Sequence, residues 1–195
     1  RDSLYGDQGG DRLELGPDIA GGLVDETVQP NDGADTILGS LGADTVYAGI
    51  GADSVDLANG DDIAFGGAGG DNIAGAEGND LIRDFVPGPL SVQAAQEADT
   101  LLGGAGSDTI ECSGGGDRVD GGTGDNDLLR VFVLNVNVQL RLSLDGAPQQ
   151  FGGGAPTIVG IERLWIEAGT ADDLLDAGTS VQANLLLGGA GADTL

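Results

Sequence analysis

The amino-acid sequence predicts an all-β fold, a right-handed parallel β-roll (a β-solenoid) wound from nonapeptide repeats, with a non-repeat strand segment between repeat blocks. Three observations predict it. An aspartate recurs at every ninth residue from Asp35 to Asp80, with a glycine two positions before each acid and an apolar residue two positions after it. The 195-residue chain carries 38 glycines and a formal charge of −26, and its acidity is almost all aspartate, 26 Asp against 7 Glu, with no lysine, histidine or methionine. Hydrophobic residues make up 39% but aromatic residues only 4%, so a core must be assembled from Val, Ile, Leu and Ala in short pieces, which suits narrow coils better than a broad globule. Composition of this kind alone would also fit a solvated linker; the regular apolar pattern argues against that.

The elements follow in order. The stretch YGDQGGDRLEL supplies a unit with Gly9, Asp11 and Leu13, and Asp2 with Leu4 form its partial predecessor. GPDIAGGLVDETVQ then shifts the register by six residues, although Glu26 and Val28 stand where an acid and an apolar residue belong. Six unbroken copies come next. Their turn glycines are Gly33, Gly42, Gly51, Gly60, Gly69 and Gly78, their acids Asp35, Asp44, Asp53, Asp62, Asp71 and Asp80, and their inward residues Ile37, Val46, Val55, Ala64, Ile73 and Ile82. RDFVPGPLSVQAAQEA, with two prolines, is expected to bulge out as a loop. The ladder resumes at Asp99, Asp108, Asp117 and Asn126, with Leu101, Ile110, Val119 and Leu128 inward.

Residues 130–168 break the pattern. LNVNVQLRLSL alternates Leu134, Val136, Val138, Leu140, Leu142 and Leu144 with Asn135, Asn137, Gln139, Arg141 and Ser143, as a half-buried strand does. DGAPQQFGGGAPT reads as a loop and IVGIERLWIEAG, with the only tryptophan, Trp165, as a second strand. Metal-free coils that close or join two loaded stacks are expected here; the sharper alternative is an interaction surface made by Trp165, Phe132 and Phe151. A last block pairs Asp173 with Leu175, Asn184 with Leu186 and Asp193 with Leu195. The expected division is a repeat block over 1–82 with an insertion at 15–30, a loop over 83–98, a second block over 99–129, the non-repeat segment over 130–168 and a third, partial block over 169–195.

Each unit is half a coil, a glycine-rich turn followed by an extended pair whose residues point alternately out and in. Residues 18 apart then stack. Asp35, Asp53 and Asp71 fall in one column, Asp44, Asp62 and Asp80 in another. Carboxylates one strand spacing apart, about 4.8 Å, repel strongly unless a positive charge lies between them. The donors on offer are carboxylate and carbonyl oxygens without imidazole and with one thiol, which favours a hard cation, and calcium tolerates such a set better than magnesium. The pairs 35/53, 44/62, 53/71, 62/80 and 99/117 define candidate sites, and 108/126 a weaker one because Asn126 is neutral. Six divalent ions would offset 12 of the 26 excess negative charges, so calcium binding is expected to be coupled to folding.

GGAGSDTIE (103 to 111), GGAGADTL (188 to 195) and GDQGGDRLE (6 to 14) resemble the nonapeptide GGxGxDxUx of the RTX (repeats-in-toxin) family. The resemblance implies a calcium-filled parallel β-roll, secreted from a bacterium, usually by a type I system, as an unfolded chain that folds on meeting extracellular calcium. It also implies that Asp11, Asp35, Asp44, Asp53, Asp62, Asp71, Asp80, Asp99, Asp108, Asp117 and Asp193 supply carboxylates, and that turn glycines Gly33, Gly42, Gly51, Gly60, Gly69, Gly78, Gly106 and Gly115 supply carbonyls. The chain departs from the motif where its first Gly-Gly pair reads GS, AG, LA or GA, at the small inward Ala64, and at Asn126 and Asn184. Weaker calcium binding is expected at those turns.

Several function classes are disfavoured. A polyanion repels nucleic acid and anionic lipid, and no apolar run approaches the roughly 20 residues that span a bilayer. The single Cys112 cannot close an internal disulfide and, beside Glu111 with no cation near it in sequence, has nothing to activate it. No enzyme is expected: histidine, HExxH and a Gly-x-Ser-x-Gly elbow are all missing, and although a carboxylate pair could serve a glycosidase, the acids here read as ligands or solvated groups. Ice binding would need a ladder of identical residues before the turn glycines, where Asp32, Leu41, Ile50, Asn59, Ala68 and Glu77 stand. No signal peptide is visible, and a chain that opens on Arg1 and stops at Leu195 inside a repeat reads as a piece of a longer protein. Two roles remain. One is an extracellular structural or adhesive repeat protein (surface layer, filament or adhesin) whose partners are calcium, copies of itself or other cell-surface components. The other is the secretion and folding module of a larger toxin or hydrolase.

Overall fold

The computed structural model describes residues 3–5, 8–14, 27–29, 31–85, 97–113, 116–132, 141–142, 157–167, 174–175 and 184–193. Its strands are short, and every pairing between them is parallel. One sheet runs through Ser3–Tyr5, Thr27–Gln29, Thr45–Ile50, Ile63–Ala68, Leu81–Arg83, Thr109–Cys112, Leu128–Phe132, Arg163–Glu167 and Leu185–Leu187, with Asn31–Asp32 also beside Thr45–Ile50. The other runs through Arg12–Glu14, Thr36–Ser40, Ser54–Ala58, Asn72–Glu77, Thr100–Ala105, Arg118–Thr123 and Thr157–Val159. In the regular stretch the chain alternates between the sheets at each repeat, so the neighbour of a strand is the repeat 18 residues away. Ile37 pairs with Val55, Val55 with Ile73, and Val46 with Ala64. This is the parallel β-roll that the nine-residue period predicts.

The thin core lies between the sheets. Ile37, Val55, Ile73, Leu101, Val119 and Ile158 stack in one column, and Val46, Ala64, Ile82, Ile110, Leu129 and Leu164 in the other, all at most 3% exposed. Burying each Ile, Leu or Val contributes about 1.5–3 kcal/mol. A second inward slot lies two residues further along each strand and takes small or apolar residues, among them Ala48, Leu57, Cys112, Val131 and Ile166. The outward face of the ten-stranded sheet carries its own ladder. Tyr47 stacks on Phe65 (ring centroids 4.7 Å apart), Arg83 lies over Phe65 and pairs with Glu111, and Arg130 pairs with Glu111 and lies 4.3 Å over the Trp165 ring.

The roll closes across both interruptions. Leu13 pairs with Ile37 across the first, and Leu101 with Ile73 across the second. Val28 pairs with Val46, as its position in the sequence suggests, while Glu26 lies outside the described residues. Arg83 and Asp84, expected in the loop, belong to the roll: Arg83 ends a strand and Asp84 is buried.

Two expectations are corrected. The repeat expected at Asn126 and Leu128 is longer by one residue, so that Asp127 stands in the acid column and Leu129, fully buried, faces inward opposite Ile110. IVGIERLWIEAG is two strands instead of one. Gly160, at φ +63, turns the chain from Thr157–Val159 in the smaller sheet to Arg163–Glu167 in the larger, and both strands extend the same roll as a further coil. Of LNVNVQLRLSL only Arg141–Leu142 is described, paired with Leu174–Leu175. Phe151, Asp173 and Leu195 lie outside the described residues.

Candidate metal centre

Each repeat places its acid just before a strand, on the turn that joins the two sheets. There one oxygen of the carboxylate accepts a hydrogen bond from the backbone N–H of the acid one coil earlier. Asp35 donates to Asp53 Oδ1 at 2.8 Å, Asp53 to Asp71 at 3.0 Å, Asp71 to Asp99 at 2.7 Å and Asp99 to Asp117 at 3.0 Å. Asp11 feeds the same column through Asp35. At the opposite edge Asp44 donates to Asp62, Asp62 to Asp80, Asp80 to Asp108 and Asp108 to Asp127. The columns extend unbroken through positions where the sequence spacing is 24, 28 or 19 instead of 18.

The second oxygen is what makes these columns chemically unusual. Oδ2 of Asp35, Asp53, Asp62, Asp71, Asp80, Asp108, Asp117 and Asp127 is buried and accepts no hydrogen bond. A buried acceptor without a partner costs about 1–3 kcal/mol, and more when it is charged. Burial pushes the carboxyls of Asp62, Asp71, Asp99 and Asp117 up to about 7 and those of Asp108 and Asp127 up to about 6. The donated backbone hydrogen bond pulls each of these down, while neighbouring acids raise all of them except Asp117 further. In the absence of a bound cation, the columns hold their acids near the point of taking up protons.

Glycines shape the space beside that oxygen. A Cβ on Gly66 would stand 2.5 Å from Asp71 Oδ2, and Cβ atoms on Gly75, Gly103 and Gly188 would collide with Oδ2 of Asp80, Asp108 and Asp193. The carbonyl of Gly103 converges on the same spot as Asp80 Oδ2, and the carbonyl of Gly121 on the same spot as Asp108 Oδ2. The predicted turn glycines also set the spacing of the coils. Gly33, Gly51, Gly60, Gly69, Gly78 and Gly106 have φ between +129 and +150, and a Cβ on each would strike the carbonyl of the glycine one coil earlier, Gly42 in the case of Gly60. They let the coils stack closely, and at Asp80 and Asp108 a carbonyl that gathers beside the carboxylate comes from the first glycine of the motif in the next coil, Gly103 and Gly121. Sequence reasoning missed this set, although the Gly-Gly pair was its signal.

Some turns depart from this plan. At Asp44 the other oxygen, Oδ2, accepts from Ser40 N–H and Ser40 Oγ–H, and Ser40 stands where the motif has its second glycine. Ala48 and Leu57 fill the first-glycine slots before Asp53 and Asp62. Asp193 is half-buried beside Gly188, and Gly115 lies outside the described residues. In the outermost coils Glu162 Oε2 accepts from Asp127 N–H and Asn184 Oδ1 from Leu164 N–H. Cys112 is fully buried, its thiol pushed well up by burial and then by Asp117, Asp84 and Asp99.

A family model described as the RTX calcium-binding nonapeptide repeat, in four copies, matches residues 29–64, 65–83 and 95–128. The matched coils are RTX calcium-binding repeats. RTX repeats bind Ca2+, and the donor set here fits that ion: stacked carboxylates with an unsatisfied buried oxygen, backbone carbonyls at the same spot, and glycines that keep the space open. The protein is a calcium-binding repeat protein. No curated protein and no solved structure matches the chain.

Proposed function

We propose that the chain is an extracellular structural or adhesive element, non-enzymatic, that folds when it meets calcium outside a bacterial cell. The observation that carries the reading is the row of buried Oδ2 atoms without a hydrogen-bond donor. A roll built this way is unfavourable at neutral pH until a divalent cation enters, so binding and folding are one event. A chain that stays unfolded where free calcium is scarce and folds where it is plentiful suits secretion, by the type I route in keeping with the family. Asp35, Asp53, Asp62, Asp71, Asp80, Asp99, Asp108, Asp117 and Asp127 are the proposed carboxylate ligands, with Gly103 and Gly121 among the carbonyl donors.

In the structural role, copies of the roll associate once calcium has folded them. Sedimentation velocity across a calcium titration tests this. The expected result is growth of assemblies with calcium that reverses on chelation; a folded, calcium-loaded chain that stays monomeric at high concentration would leave the folding-module role in its place.

A further inference from the structure

We propose that Asp84 joins the repeat pair Asp99 and Asp117 in a three-carboxylate calcium site, unlike the two-carboxylate sites of the other coils, that staples both ends of the insertion between residues 85 and 98 to the roll. The proposal rests on the calcium reading above. Asp99 and Asp117 belong to the acid column, but Asp84 does not: two residues after Ile82, it occupies the inward slot that the neighbouring coils give to Gly66 and Cys112. One carboxylate oxygen from each of the three acids can be chosen so that all lie within 4.8 Å of one another.

Three features separate this group from an ordinary acidic cluster. Asp84, Asp99 and Asp117 are each at most 2% exposed, so water does not screen them. Asp84 Oδ2 accepts from Ser113 N–H at 2.8 Å and Ser113 Oγ–H at 3.1 Å, which fixes the side chain, while Oδ1 is buried without a hydrogen-bond partner; Asp117 Oδ2 is in the same condition. Arg83 and Arg130 both pair with Glu111 on the outward face, and Arg118, next to Asp117 in sequence, pairs with Asp120. Three buried carboxylates this close cannot all stay ionised without a cation among them. The ion is a hard one, since the three ligands are oxygens and the Cys112 sulfur is not in the group.

Position gives the site its role. Asp84 stands where the chain leaves the roll and Asp99 where it re-enters, and Asp117 comes from the next coil. One ion therefore ties exit, entry and neighbour together. Calcium sites tighten with ligand charge and rigidity, so this should be the first position in the chain to fill.

The test is calorimetric calcium titration of the whole chain and of two variants, Asp84→Gly, which restores the repeat's residue, and Asp84→Asn, which keeps the shape and the Ser113 contacts but removes the charge. One ion tighter than the rest is expected in the unaltered chain, weakened on the order of tenfold or lost in both variants, with the other ions and the β signal at saturating calcium unchanged. Protease cleavage within 86–96 at sub-saturating calcium should rise in the variants. Asp84→Asn decides if Asp84→Gly disturbs the fold. Should Asp84→Asn bind its tightest ion as well as the unaltered chain does, Asp84 is a neutral buried acid and this inference alone fails. No calcium binding by the unaltered chain would overturn this inference and the calcium reading together.

Discussion

The middle coils and the last coil solve the same turn in two ways. In the middle, Gly66, Gly75 and Gly103, five residues before the acid, and Gly121, six before Asp127, leave the same slot open, and the acid keeps one oxygen for a backbone N–H and one without a donor. Toward the far end the corresponding inward slot of the larger sheet is filled by Val131 and Ile166, both fully buried, the acid position before Arg163–Glu167 is held by Glu162, and Asn184 stands opposite the inward Leu164. These two still accept the N–H of the preceding coil. Asn184 does so with a neutral amide. The hydrogen bond that sets coil spacing and the oxygen that waits for a cation are therefore separable features of one turn. A coil can keep the first with apolar packing where it lacks the second.

The comparison can be broken most forcefully at the stacking glycines. Gly69 has φ +129, and a Cβ on it would collide with the Gly51 carbonyl, so Gly69→Ala should cost about 3 kcal/mol or more in saturating calcium, read from urea midpoints. At the far end Ile166→Ala should cost about 2–5 kcal/mol through a core cavity while leaving calcium affinity unchanged, measured by the same melts and by calorimetry. Asp71→Asn separates the two functions of the acid. Its amide oxygen still accepts from Asp53, so the fold at high calcium survives, but affinity at the flanking sites should fall on the order of tenfold; Glu162→Gln should change affinity far less. The smallest effect is a gain. Ala76 is held at φ +75 in a glycine position, and Ala76→Gly should stabilise the roll by about 1 kcal/mol, seen as a raised melting temperature.

Much of this was legible because the period is a counting argument. Nine residues per half coil put Asp35, Asp53 and Asp71 in one column and Ile37, Val55 and Ile73 behind them, whatever the side-chain details. What escaped were positions where counting fits two answers. Asn126 lies nine after Asp117 and satisfied the period, yet the buried acid is Asp127; the sign was Gly124, 18 after Gly106, with one extra residue before the next acid. Gly160, Glu162 and Leu164 repeat the Gly-x-acid-x-apolar spacing with Glu for Asp, and the alternating apolar residues around them read as one strand. Asp84 was passed over because its slot is one where the motif has glycine, and only packing brings it to Asp99 and Asp117.

The pH dependence follows from the raised carboxyls. An acid whose folded pKa lies above its unfolded value near 3.8 stabilises the fold when protonated. That contribution is full below about pH 4 and is lost as pH rises through about 6 to 7. Metal-free chain is thus expected to hold more structure in acid than at neutral pH, and calcium to take over the protons' role above pH 7.

The most direct measurement is circular dichroism at pH 7.5, from chelator into calcium, with magnesium as control. A cooperative gain of β signal with calcium and not with magnesium is the result predicted here. A chain already folded in chelator at that pH, or one still disordered at roughly tens of millimolar calcium, far above the affinities of extracellular calcium modules, would contradict the claim that these aspartate columns organise the fold.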